Sequence, residues 1–331
     1  MNILVTAPYN KECLQQLKEE FGEVKHLSWK EHGREFFEEE LLALLKETDA
    51  DGLITELDDV TKKVIAGHPK LKFIGVCRAN PVNVDVDAAS NQGIPVFHTP
   101  ARNAQAVAEL FIGNVISFMR HTIPSTKWLE EENWEGESFS AYLNFKGNEL
   151  AGKTVGFVGF GAVPQKIANM IKHFPCAIQY YDPFIEAESV GYKRLGLEEI
   201  FEQSDIVSIH LPVNDQTKGM ISADLLNRMK REAIFVNTAR AAVVDNESLL
   251  NLLKSNQIRG AILDVFDQEP PSQRDYEMIQ LPNVLATPHT AGASYEVEDH
   301  HSVIMNESLI KWVKHQSQQN IFNRRLLAPN Q

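Results

Sequence analysis

Cysteine is scarce and scattered: the chain of 331 residues holds three, Cys13, Cys77 and Cys176. They form no C-x-x-C pair and have no histidine pair beside them. That excludes a disulfide framework and a thiolate zinc site, and predicts reduced thiols in a cytoplasmic protein. No apolar run reaches the roughly 18 residues of a membrane span. The best stretch, from Ala106 to Met119, is interrupted by Glu109 and Asn114. The amino terminus, Met1-Asn2-Ile3-Leu4-Val5, has no basic stretch ahead of its apolar residues, so no secretory signal is expected. Positive charge is in short supply: 32 Lys and Arg against 45 Asp and Glu give a formal charge of −13. Such a surface repels phosphate backbones and anionic lipid, so no nucleic acid and no membrane partner is expected. Internal repeats and low-complexity tracts are also absent.

What is present is ordinary for a globular chain: 43% hydrophobic and 8% aromatic residues, in a length that suits roughly two domains. Short β-rich runs at residues 2–7, 52–55, 73–76 and 95–97 alternate with helical patterns at 12–21, 35–46, 60–67 and 85–92. Alternation of this kind predicts parallel sheets, because parallel strands need crossover helices. A long helix follows at 103–120, with Ala104, Val107, Ala108, Phe111, Ile112, Val115 and Phe118 at the spacing of a buried stripe. A break is expected at His121-Thr122-Ile123-Pro124, then a polar stretch carrying Trp134. A cleaner strand–helix alternation begins at Thr154, with strands at 155–158, 178–181, 206–210, 233–236 and 260–263. That is the pattern of a doubly wound sheet. The last helix, 294–316, is expected to return to the first unit. The domains are thus 1–100 with 295–331, and 101–294.

The segment Val155-Gly156-Phe157-Val158-Gly159-Phe160-Gly161-Ala162-Val163-Pro164 runs from strand into helix. Gly159 and Gly161 fit the first two positions of G-x-G-x-x-G. The first permits a tight turn and the second lets backbone approach a pyrophosphate at a helix N-terminus. Pro164 takes the third position, where a proline in the first helical turn loses no hydrogen bond. Asp182 follows about 20 residues on, at the end of the next strand, where a carboxylate can accept from both ribose hydroxyls. It would repel a 2′-phosphate, so NAD is favoured over NADP.

Three further stretches follow strands of the same unit: one around Arg240, one around Glu269 and one around His289. Each has an ordinary explanation when taken singly: a surface ion-pair partner, a turn acid before Pro270-Pro271, a loop histidine. In a doubly wound sheet, however, the loops after strands gather at one edge, where an arginine, a carboxylate and an imidazole can converge. No metal-ligand cluster is apparent. His300 and His301 are adjacent, so on a helix they point in different directions.

The chain resembles the D-isomer-specific 2-hydroxyacid dehydrogenases, close in type to phosphoglycerate dehydrogenase-like and hydroxypyruvate/glyoxylate reductase-like enzymes. The carriers are Asn103 to Glu109, Gly159-Phe160-Gly161, Asn237-Thr238-Ala239-Arg240, Asp264 through Glu269-Pro270, and Pro288-His289-Thr290-Ala291-Gly292. The resemblance implies an α/β architecture of two doubly wound parallel-sheet domains, a Rossmann NAD domain and a flavodoxin-like substrate domain, with a cleft between them. It implies His289 as general acid and base, Glu269 orienting that imidazole and stabilising its charged form, and Arg240 binding the substrate carboxylate and polarising the 2-oxo group. It implies NAD lined by Val107, Gly159, Phe160, Gly161, Ala162, Val163, Asp182, His210, Leu211, Pro212, Thr217, Thr238, Ala239, Asp264, Ala291 and Gly292, with Asp264 near the nicotinamide carboxamide. Arg78, Ala79 and Asn80 are expected to offer backbone N–H groups to a small 2-oxo or 2-hydroxy acid.

A homodimer is implied too, through the long helix and its Trp-bearing extension. Pro164, Ala241, Ala101 and Asn80 depart from glycines of the family pattern, and the loop from Arg78 is shorter than the common form. No carboxy-terminal regulatory domain is expected. The alternative on the same fold is an NAD(H)-sensing interaction protein of the corepressor type.

Overall fold

Runs of aliphatic residues become short parallel strands that are fully buried in the middle of each sheet, as happens when both faces of a sheet are covered by helices. A computed structural model describes residues 1–135, 139–185 and 191–327. The chain divides into two units, Met1–Asn103 with Ser294–Gln331, and Ala104–Ala293.

The first unit contains β1 (Ile3–Val5), α1 (Lys11–Phe21), β2 (Val24–His26), α2 (Trp29–His32), α3 (Glu38–Glu47), β3 (Gly52–Thr55), α4 (Lys62–Gly67), β4 (Phe73–Val76), α5 (Val86–Asn91) and β5 (Val96–His98). Its strands lie in the order β2-β1-β3-β4-β5, all parallel, which is the flavodoxin-like doubly wound order. The returning helix, Glu296–His315, packs against α1 and sets Trp312 among Phe73 and Phe97. The segment after it closes the sheet's edge: Ile321 bridges Phe97, and Asn323 Oδ1 accepts from Val96 N at 2.9 Å. A covered edge cannot recruit a further strand.

The second unit contains α6 (Ala104–Met119), α7 (Thr122–Glu130), α8 (Ser140–Asn144), β6 (Thr154–Val158), α9 (Ala162–Ile171), β7 (Ala177–Tyr181), β8 (Lys193–Arg194), α10 (Leu197–Gln203), β9 (Ile206–Ile209), α11 (Ala223–Leu226), β10 (Ile234–Asn237), α12 (Asn246–Lys254), β11 (Gly260–Leu263), α13 (Gln273–Ile279) and β12 (Val284–Ala286). The strand order is β12-β11-β10-β9-β6-β7-β8, all parallel. The strand order reverses at β6, whose neighbours are β7 and β9, and ligands bind beyond the carboxyl ends of strands at such a switch point. The stripe on α6 is buried at Ala104, Val107, Ala108, Phe111, Val115 and Met119, against α9 and the ring of Phe157.

Both sheets are of the expected α/β class. The break expected at residues 121–124 is a change of helix. His121 takes a left-handed conformation, and α7 starts at once with Pro124 in its first turn, where a missing N–H costs nothing. β2, α2 and β8 have no counterpart in the sequence reading. They are two to four residues long, too short for a period to register. Among the described residues no helix is long and apolar enough to cross a membrane.

Candidate active site

The glycine turn follows β6 directly. Gly159 has φ 83°, and a Cβ there would lie 2.6 Å from the carbonyl oxygen of His210, so both backbone conformation and space require glycine. Gly161 caps α9 and no side chain caps it. The N–H groups of Ala162 and Val163 have no partner among the described residues. They are the unpaired donors of a helix N-terminus, the positive end of its dipole. Pro164 is buried in this first turn. The ring of Phe160 is buried and stacked on Tyr180 at 4.3 Å, so only its backbone belongs to the turn.

Asp182 braces that turn. Its Oδ2 accepts from Phe160 N and its Oδ1 from Phe184 N, both at 2.8 Å. The carboxylate thus already fixes the turn to the end of β7 and keeps lone pairs free for further donors. Replacing Asp182 with Ala is expected to shift the NADP-to-NAD preference by about tenfold or more toward NADP, a change of at least ~1.4 kcal/mol. NAD affinity falls as well, because the turn loses its brace. An unchanged ratio of kcat/KM for the two cofactors would remove the ribose role.

His210, Leu211 and Pro212 follow β9. The His210 ring turns inward, with Nε2 2.8 Å from Ser208 Oγ and Phe157 and Phe111 beside it. Burial holds it neutral, with its pKa pushed down to about 3, so its carbonyl and not its ring meets the glycine turn. Leu211 is buried. Thr217 closes the same loop, donating to the carbonyl of Pro212 at 2.5 Å. Val107 is buried on the core side of α6. Thr238 Oγ1, after β10, is buried with no hydrogen-bond partner among the described residues. The unpaired Thr238 hydroxyl and the unpaired N–H groups at the start of α9 fit a dinucleotide, because each supplies polar atoms that the protein leaves without a partner.

Arg240, Glu269 and His289 follow β10, β11 and β12, which are neighbours in the sheet, and adjacent strands lie only about 4.8 Å apart. Asn237 shapes the first loop: its Oδ1 accepts from Ala239 N at 3.0 Å and its Nδ2 donates to Arg240 O at 2.9 Å. The Arg240 side chain is exposed and donates one Nη1 bond to Ala239 O at 2.6 Å. It makes no ion pair among the described residues. Glu269 Oε2 lies 2.6 Å from His289 Nδ1. The two side chains are 40% and 45% exposed, open enough for a ligand to reach Nε2.

His289 sits at φ 52°, a left-handed conformation that a side-chain-bearing residue keeps only when its surroundings impose it. Asp264 imposes it. This 1% exposed residue accepts from Thr287 Oγ1 at 2.5 Å and from Thr290 N and Ala291 N, each at 2.9 Å. These donors flank the histidine on both sides. The expectation that Asp264 lies near a carboxamide overlooked this: its two oxygens hold the His289 loop, and the motif gave no sign of it. Asp275 does the same for the Glu269 loop, accepting from Asp267 N at 3.1 Å and Ser272 N at 2.8 Å. Ala291 is buried and Gly292 half-buried beyond the clamp.

In the first unit the loop from Arg78 follows β4. Arg78 O accepts from Thr99 N at 2.9 Å, and Ala79 O lies 2.7 Å from His98 Nδ1. The carbonyls are taken, while the N–H groups of Ala79 and Asn80 have no partner among the described residues. Ala101, where the family pattern has glycine, sits at φ 61°, a position glycine would occupy without strain. No three or more His, Cys, Asp or Glu side chains among the described residues are placed to hold a metal ion.

Sheet order, glycine turn and the His–Glu pair define a nicotinamide-dependent oxidoreductase. The family model for the NAD-binding domain of D-isomer specific 2-hydroxyacid dehydrogenases matches residues 112–291. The chain belongs to that family and is an NAD-dependent oxidoreductase of 2-hydroxyacids. It is 58% identical to the Bacillus subtilis (strain 168) protein YoaD, provisionally named a 2-hydroxyacid dehydrogenase, over 94% of this chain and 91% of that one. It is 32% identical to the hydroxypyruvate reductase of Thermotoga maritima over 93% of this chain and 96% of that protein. The solved structure of a D-2-hydroxyisocaproate dehydrogenase shares its fold, with a TM-score of 0.82 and 23% identity, covering 97% of this chain and 99% of that one.

Proposed function

We propose that the protein reduces a small 2-oxo acid to the D-2-hydroxy acid with NADH, or runs the reverse oxidation, and that Arg240, Glu269 and His289 carry the reaction. The observation behind this reading is the 2.6 Å contact between His289 Nδ1 and Glu269 Oε2, on loops beside the one that carries Arg240. With Nδ1 held by a carboxylate, Nε2 is the nitrogen left to exchange a proton with the substrate oxygen. The carboxylate stabilises the imidazolium, which makes His289 a proton donor in reduction and an acceptor in oxidation. Arg240 binds the substrate carboxylate through paired N–H groups and stabilises the charge that develops on the 2-oxo oxygen.

When bound, the nicotinamide supplies or accepts the hydride. Ala162, Val163 and Asp182 are the groups that would hold the dinucleotide. The unpaired N–H groups of Ala79 and Asn80 are the donors that the first unit offers to a carboxylate.

A homodimer is part of the proposal. The segment beyond α6 exposes Ile123, Leu129, Trp134, Phe139, Tyr142 and Leu143, large apolar side chains of the kind that protein–protein contacts bury. No observation favours the nucleotide-sensing alternative. A screen of 2-oxo acids followed by NADH absorbance tests the reading. At least one small acid, with glyoxylate and hydroxypyruvate in the panel, is expected to turn over. A folded, NADH-binding protein that reduces none of them would overturn it.

A further inference from the structure

One side chain outside the set Arg240, Glu269 and His289 joins two of the loops that carry it. Asn246 opens α12, just beyond the Arg240 loop, and its Nδ2 donates to Ala241 O at 3.2 Å and to Asp267 Oδ1 at 2.7 Å. Ala241 follows Arg240 directly, and Asp267 precedes Glu269 by two residues. An amide nitrogen carries two N–H groups, so Asn246 gives one to each loop. The bond to Asp267 goes to a carboxylate, which makes it the stronger of the two. Asp267 is fixed through its backbone as well, since its N–H donates to Asp275 Oδ1 at 3.1 Å. Asp275 also accepts from Ser272 N at 2.8 Å and Ser272 Oγ at 2.6 Å, so it closes the loop on the other side of Glu269.

Close packing does not supply this order. Asn246, Asp267 and Asp275 line, with Val265 and Phe266, a cavity of about 20 Å³, room for about one water. Asp267, Gln268, Glu269 and Pro270 are all exposed. A loop between solvent and a void takes its position from polar ties. The ion pairs that also link α12 to α13, Arg274 with Glu247 and Lys254 with Glu277, are solvent-exposed, and such pairs hold little.

Resting on the functional reading above, we propose that Asn246 is a positioning residue for the reaction. By bonding both loops with one amide, it fixes the spacing between Arg240, which takes the 2-oxo acid, and Glu269, which holds Nδ1 of His289. A misplacement of about 1 Å in such a group can lower a rate by about 100-fold. Asn246 touches neither substrate nor cofactor in this role; it acts through the two loops.

The test measures kcat and KM with NADH for the 2-oxo acid of the panel above that turns over fastest, alongside NADH affinity by fluorescence, on full-length variants. Asn246→Leu, similar in shape but without donors, lowers kcat by about tenfold and raises KM for the acid by about threefold or more, while NADH binds as in the wild type. A residue that merely stabilised the fold would leave KM and the kcat of the folded fraction unmoved. Asp267→Ala, at an exposed position, gives the same pattern and keeps the inference testable if Asn246→Leu fails to fold. The double variant is no worse than Asn246→Leu alone, because Asp267 contributes through the bond already lost. Asp267→Asn, which keeps an acceptor oxygen, recovers most of what Asp267→Ala loses. Wild-type constants in both single variants, losses that multiply in the double variant, or an Asp267→Asn no better than Asp267→Ala overturn the inference, while the functional reading stands on the turnover of the wild type. Turnover of no 2-oxo acid by the wild type overturns both.

Discussion

His289→Ala lowers kcat for 2-oxo acid reduction by roughly 10²–10⁴-fold, the usual contribution of a positioned general acid, while NADH binds nearly as before. The split follows from where the residue stands. His289 lies beyond β12 and touches Glu269 through Nδ1. The glycine turn after β6 and Asp182 after β7 are separated from β12 in the sheet by β9, β10 and β11. Loss of the imidazole removes the proton donor and leaves the glycine turn untouched. The left-handed φ of 52° is held by the Asp264 clamp, which the variant keeps, so thermal unfolding should change little. NADH fluorescence titration and steady-state turnover, measured on the same preparation, check both halves. Turnover that survives in the variant would strip His289 of its role.

Arg240→Gln lowers kcat by about 10²–10³-fold, comparable to losing an oxyanion-hole donor, and raises KM for the 2-oxo acid. Both constants move because one guanidinium does two jobs. In the proposed reaction it holds the carboxylate in the ground state, which sets KM, and meets the charge growing on the 2-oxo oxygen in the transition state, which sets kcat. The side chain is free to do this, since among the described residues it bonds only Ala239 O. Arg240→Lys restores charge without the planar fork and recovers part of KM but little of kcat. A change confined to KM would mean that Arg240 only anchors the substrate.

Much of this site was legible in the sequence because it is built from motifs that chain order alone defines. Gly159 and Gly161 open the helix where a strand had just ended, and the residues after β10, β11 and β12 were bound to share an edge once the sheet was known to be doubly wound. The illegible parts depend on contacts between distant positions. Nothing near Asp264 announces that its carboxylate clamps Thr287, Thr290 and Ala291. His210 stands in a loop that lines the turn, yet its ring is driven inward onto Phe157 and Phe111. The 2.6 Å contact of Arg102 with Glu56 joins residues 46 positions apart, which local pattern does not carry. Short elements such as β2 and β8 exist because longer neighbours pair with them, a tertiary effect that local pattern does not carry.

The most direct measurement is a crystal structure of the protein with NADH and oxamate, a non-reducible mimic of a 2-oxo acid. The account predicts the oxamate carboxylate paired with the Arg240 guanidinium and the His289 Nε2 about 3 Å from the amide end of the ligand. Oxamate held elsewhere, or His289 turned away from it with Arg240 unpaired, would contradict the account.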